Sequence, residues 1–196
     1  MQAKTLNEQE LMHVVSAASQ GRWGTRNRAL LLITHYTGMR VCEVASLRIH
    51  HVLNVQGEIL NEIQLTAAET KGRKARVVVV PERMRKELGS YLRKQFGFKS
   101  LSGVAYEFGQ KPLFYTSKNH AFIPNVLTQV FGELYKRAGI QGATAYSGRR
   151  TWLTTLCARG ANIRVLQSLA GHSSLAVTQR YIDVNDNLRR AVAEMI

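Results

Sequence analysis

The stretch Leu169-Ala170-Gly171-His172-Ser173-Ser174, followed by Thr178-Gln179-Arg180-Tyr181, decides how this chain is read. Gly171 is a natural end for one helix, His172 falls in the turn, and Ser173 or Ser174 can cap the next helix. Tyr181 then lies two turns into that second helix. Alone, a tyrosine in such a place is more often a core or surface residue than a nucleophile. Its company elsewhere in the chain changes that reading.

Twenty-three residues upstream of His172 sits Arg149, within Tyr146-Ser147-Gly148-Arg149-Arg150-Thr151 at the expected start of a helix. Helix N-termini and arginines both favour anions, although paired arginines also occur on plain surfaces. Further back, Thr70-Lys71-Gly72-Arg73-Lys74 forms a basic connection between two candidate strands. A flexible hairpin tip of this kind can reach a phosphate backbone or simply be solvated. Nearest the N-terminus, Thr37-Gly38-Met39-Arg40-Val41-Cys42-Glu43 places Arg40 just after a glycine helix stop. Its plain alternative is an arginine paired with Glu43 on a helix face.

In this order the four stations resemble the tyrosine recombinase (phage integrase-type) family across nearly the whole chain. That family carries an arginine after TG-x-R, a hairpin lysine, an H-x-x-R box, a G-H box and a tyrosine soon after it. The matching positions are Arg40, Lys71, Tyr146 with Arg149, His172 and Tyr181. The nine-residue gap from His172 to Tyr181 is similar to the family's, and Leu-Ala-Gly-His-Ser-Ser…Tyr is the most specific segment. The resemblance implies the family's catalytic, DNA breaking–rejoining fold and a site-specific recombinase that integrates, excises or inverts DNA through a 3′-phosphotyrosine. It further implies double-stranded DNA as partner, a homotetramer on paired sites, accessory DNA-bending proteins as possible helpers, and no cofactor.

Those residue types suit that chemistry. A metal-free phosphoryl transfer must place fixed cations on the non-bridging oxygens, and Arg40 and Arg149 would supply two forked donors. Lys71 is the candidate general acid, since an ammonium can give up a proton and an arginine effectively cannot. Arg73, Lys74 and Arg76 lie close by, with Lys74 the obvious rival for that role. Arg73, Lys74 and Arg150 are candidates for DNA contact, and His172 would hydrogen-bond the scissile phosphate. Tyr146 departs from the family, which has histidine there, and a phenol is a poor proton acceptor at neutral pH. His51 also departs, standing where many relatives have an acid. A DNA-binding regulator with impaired cleavage and a type IB topoisomerase are the competing readings.

Composition bounds the rest. The 196 residues carry 27 Lys and Arg against 13 Asp and Glu, a formal net charge of +14 that favours a polyanionic partner. Cys42 and Cys157 show no metal spacing and the histidines form no metal array, so no metal is expected. No signal-peptide core or membrane-length apolar run is visible, so a cytoplasmic setting follows by default.

The pattern predicts one α+β, mostly helical domain over 1–196 with a small three-stranded antiparallel sheet at about 51–80. Helices are expected over 6–18, 25–37, 40–47, 82–95, 125–138, 146–159, 163–170, 175–182 and 186–196, with Thr5 and Glu8 as a capping box on the first and Thr25 capping the second. Residues 97–110 read as a surface loop. The chain opens where the family's catalytic domain normally begins, so it reads either as an excised catalytic domain or as a single-domain recombinase, with no N-terminal core-binding domain expected in 1–196. The last helix shows an apolar stripe of Leu188, Ala191, Val192 and Met195, which would pack internally or pass between protomers.

Overall fold

In the computed structural model the described residues are 2–98, 100–180 and 193–194. Tyr181 and the C-terminal apolar stripe therefore lie outside them. The first helix, α1, runs Glu8–Ala18, and its cap is Asn7 rather than Thr5: the Asn7 side chain accepts from Glu10 N–H while the Glu10 carboxylate accepts from Asn7 N–H. Thr5 and Glu8 have the same spacing, but the chain takes its helical turn two residues later. Leu6 is held instead by its N–H donating to Thr151 Oγ1 at 2.9 Å.

Helix α2, Gly24–Thr37, starts without a side-chain cap, so Thr25 does not serve as one. It is the central core helix, with Leu30, Leu31 and Ile33 almost wholly buried. It stops at Gly38, whose φ of +64° suits a residue without Cβ. The short α3, Val41–Ser46, follows at once.

Among the described residues two strands make the sheet, β1 (Glu62–Leu65) and β2 (Arg76–Val79), antiparallel with Ile63 opposite Val78. The expected first strand is reduced to a single bridge between Leu53 and Ile59. Its donors are spent locally: the N–H groups of Val52 and Leu53 both donate to Ile49 O in a 3-10 turn, Ile49–His51. Too few remain for a ladder.

Helix α4 spans Glu82–Phe96, and α5, Leu101–Phe108, occupies what the sequence suggested was a loop. Leu101, Val104, Ala105 and Phe108 have helical spacing, and Ser100 accepts from Ser102 N–H as the cap. Helices α6 (Pro124–Arg137), α7 (Ser147–Ala158), α8 (Ile163–Ala170) and α9 (Leu175–Gln179) complete the described fold. No helix among the described residues is long and apolar enough to cross a membrane.

Helix α7 lies tight against α2. A Cβ on Gly148 would come within 2.3 Å of Thr34 Oγ1, and one on Gly38 within 2.2 Å of the Trp152 ring. This close approach brings the first turn of α7 to the end of α2, where the site forms.

Candidate active site

The site is organised around the C-terminal end of α8. A helix end leaves carbonyls unpaired and carries partial negative charge, which attracts cations. Here three successive carbonyls each accept from a different arginine. Arg76 donates to Leu169 O at 2.8 Å, Arg149 to Ala170 O at 2.7 Å, and Arg40 to Gly171 O at 3.2 Å.

Each guanidinium reaches that point from a separate element. Arg40 precedes α3, with its N–H donating to Glu43 Oε2 at 2.7 Å and its guanidinium to Glu43 Oε1 at 3.0 Å. The Arg40–Glu43 pair and the turn into the site are thus one arrangement. Arg149 projects inward from the first turn of α7, 1% exposed, and its other arm donates to Gly38 O at 2.5 Å. That turn is set by Thr144 and Ser147, which exchange hydrogen bonds: Ser147 N–H to Thr144 O and Thr144 N–H to Ser147 Oγ, both 2.9 Å.

His172 follows Gly171 in the turn and is buried. Its Nε2 stands 2.7 Å from an Arg149 nitrogen, and its Nδ1 lies 3.0 Å from Thr178 Oγ1 on α9. Arginine can only donate, so Nε2 accepts and the neutral ring carries its proton on Nδ1 toward Thr178. Burial, then the charges of Arg149, Arg40 and Arg76, push the imidazolium pKa down to about 3. Glu43, wholly buried, stays ionised. Burial alone would raise its pKa, but Arg76 and then Arg40 outweigh it and hold the carboxyl below its ordinary value.

Lys71 lies in the β1–β2 connection, exposed and without a hydrogen bond or ion pair among the described residues. The loop around it is closed rather than loose. Thr70 Oγ1 donates to Lys74 O at 2.8 Å and accepts from Lys74 N–H at 3.1 Å, while Arg73 N–H donates to Thr70 O. Arg73 takes a left-handed φ of +49° at this tip, and both Arg73 and Lys74 are exposed. Tyr146 immediately precedes α7 and is 53% exposed, its phenol without a hydrogen bond among the described residues. Arg150 differs from its neighbour: it is 6% exposed and donates to Gln2 Oε1 at 2.6 Å, which gives the guanidinium a partner inside the fold. The structure thus gathers Arg40, Arg149 and His172 and leaves Arg150 apart.

Sequence reasoning gave Arg76 no part in the site and treated Glu43 only as a possible partner of Arg40. The available sign was periodicity: Arg76 shares the inward side of β2 with Val78, and an inward arginine needs an anion. His51 is also explained. Its Nδ1 accepts from Arg48 N–H at 3.1 Å, and its Nε2 lies 3.3 Å from Glu69 Oε1 beside the base of the Lys71 loop. Among the described residues no cluster of His, Cys, Asp or Glu could hold a metal ion.

The model of the phage integrase family matches residues 4–187. The chain belongs to the phage integrase family. Among curated relatives in that family, it is 28% identical to tyrosine recombinase XerA of Pyrococcus furiosus, over 96% of this chain and 60% of the relative. It is 31% identical to tyrosine recombinase XerC of Bacillus licheniformis, over 95% of this chain and 59% of the relative. The chain thus spans about six-tenths of the length of those relatives. Among solved structures, a XerA recombinase crystal structure aligns over 100% of this chain and 65% of its own, with 30% identity and a TM-score of 0.78. The catalytic domain of bacteriophage HP1 integrase shares the fold at 22% identity and a TM-score of 0.63, covering 92% of this chain and 87% of that domain.

Proposed function

We propose that this chain is the strand-transfer domain of a site-specific DNA recombinase. The observation that carries it is the convergence of Arg40, Arg149 and His172 on the end of α8. Two forked cations and an imidazole from three separate elements suit a phosphate with two non-bridging oxygens. Family membership and the +14 charge support the same reading.

In the proposed reaction the Tyr181 phenol oxygen attacks phosphorus and gives up its proton to water. The new bond is a 3′-phosphotyrosine, and the bond to the 5′-oxygen breaks. Lys71 donates the proton that this oxygen needs to leave as a hydroxyl. Arg40 and Arg149 carry the charge that builds on the non-bridging oxygens. Religation is the reverse, so the phosphotyrosine conserves the bond energy. Arg73 and Lys74 follow Lys71 in the same loop and would grip the backbone. We further infer a homotetramer on paired double-stranded sites, with DNA-bending proteins as helpers, in the nucleoid-containing compartment of a cell or a mobile element's host.

The deciding experiment captures protein covalently joined to DNA in the native host and sequences what is attached, beside a Tyr181→Phe control. Tyr181-dependent adducts at one or a few loci are expected. Adducts scattered over the genome would favour a topoisomerase, and non-covalent retention without adducts would favour a regulator.

A further inference from the structure

Arg76 opens β2, five residues after Lys71, and every nitrogen of its guanidinium bonds inside the protein. Its Nε lies 3.0 Å from Glu43 Oε1 and one terminal nitrogen 2.7 Å from Glu43 Oε2; the other terminal nitrogen donates to Leu169 O at 2.8 Å. Glu43 in turn holds the backbone and side chain of Arg40. The glycine turn rests on the same arginine: a Cβ at Gly171 would fall 2.8 Å from Arg76 Cδ. Buried ion pairs of this sort are a poor source of stability, because desolvation offsets their attraction. What this one supplies is geometry: a carboxylate with two oxygens shared between two arginines holds both at fixed angles.

We propose that Arg76 is a positioning residue for strand transfer, aiming Arg40 through Glu43. It does so from inside the fold, with its side chain 10% exposed and each guanidinium nitrogen bonded to Glu43 or Leu169. It also balances charge. Without Arg76 the buried Glu43 carboxylate would draw Arg40 back onto itself and weaken its hold on a phosphate oxygen. This inference rests on the strand-transfer reading above.

The test uses a synthetic duplex of the sequence recovered by adduct capture and measures single-turnover cleavage at saturating protein. Arg76→Ala should slow cleavage about 10- to 100-fold, as misplacement by about an ångström can do. DNA affinity should change less than about threefold. Arg76→Lys, with one ammonium in place of a fork, should be nearly as slow, and it serves if the alanine variant does not fold. The discriminating substrate carries a neutral methylphosphonate at the scissile position, where one oxygen no longer needs a cation. There the Arg76→Ala penalty should shrink to less than about threefold, as should that of Arg40→Ala. A penalty equal on both substrates, or an unchanged rate on the phosphodiester, would overturn the role of Arg76 alone. If the unaltered protein forms no Tyr181-dependent adduct, the strand-transfer reading itself fails and this inference with it.

Discussion

At Arg149 one side chain satisfies a glycine carbonyl, a helix-end carbonyl and an imidazole nitrogen at once. Arg149→Lys keeps the charge and loses the fork, so those acceptors cannot all be met. Cleavage should fall at least about 100-fold, and stability by about 1–3 kcal/mol from acceptors left unpaired; a near-normal rate by single-turnover assay would disprove the phosphate-clamp role. Tyr146 poses the opposite case. A neutral phenol is a poor proton acceptor, so it cannot replace an imidazole in that role. Being exposed, it tolerates substitution. Tyr146→His should preserve or raise cleavage and shift the pH–rate profile toward lower pH, with stability changed by less than about 0.5 kcal/mol. Abolished cleavage would mean the phenol holds the phosphate in a way an imidazole cannot.

At two of the junctions that present site residues, one small feature sets the shape. Gly38 joins α2 to α3 in a left-handed conformation while the Trp152 ring covers it. Gly38→Ala therefore meets both backbone strain and a clash, and should cost about 2–4 kcal/mol in urea denaturation. The Lys71 loop is closed by the Thr70 hydroxyl. Thr70→Val keeps the shape and removes that closure. It should slow cleavage of an ordinary phosphodiester several-fold. A 5′-bridging sulfur, which leaves without a proton donor, should restore the rate, and failure to restore it would argue against Lys71 as the acid.

Across the whole molecule, pH should matter most through two imidazoles, His172, which is buried, and His35, which is half-buried. Burial pushes His35 down to about 4, and burial with nearby arginine charge pushes His172 down to about 3. Both are neutral when folded and titrate near 6.5 when unfolded. The unfolded chain thus binds more protons below about pH 6.5, and their stabilising contribution, complete above that value, is lost as pH falls toward 4 and 3. The slope should be about 1 kcal/mol per pH unit for each histidine. Urea midpoints from pH 7 to pH 4.5 measure it; His35→Asn should flatten the curve by one proton, and a midpoint unchanged over that range would refute the assignment. Glu43 adds acid sensitivity only below its ordinary carboxyl range, because Arg76 and Arg40 keep it ionised further down.

Legibility followed the range of the interactions. Gly38, Gly171 and the spacing of Arg40, Lys71, Arg149 and His172 stand in the sequence because a helix stop and a forked cation are properties of residue type. The missed helix α5 was also written there, as Leu101, Val104, Ala105 and Phe108 at helical spacing; the surrounding glycines and serines masked it. The expected first strand failed for a different reason: alternation cannot tell whether backbone donors are already spent in a local turn. By itself, then, the sequence determined a basic, mostly helical chain of the phage integrase family and the residue types of its site. Only the tertiary structure decided that Arg150 is turned to Gln2, that Arg76 joins Glu43, and that three arginines meet at the end of α8. Those outcomes depend on carbonyls and a carboxylate brought together from distant segments, and residue spacing carries no record of such meetings.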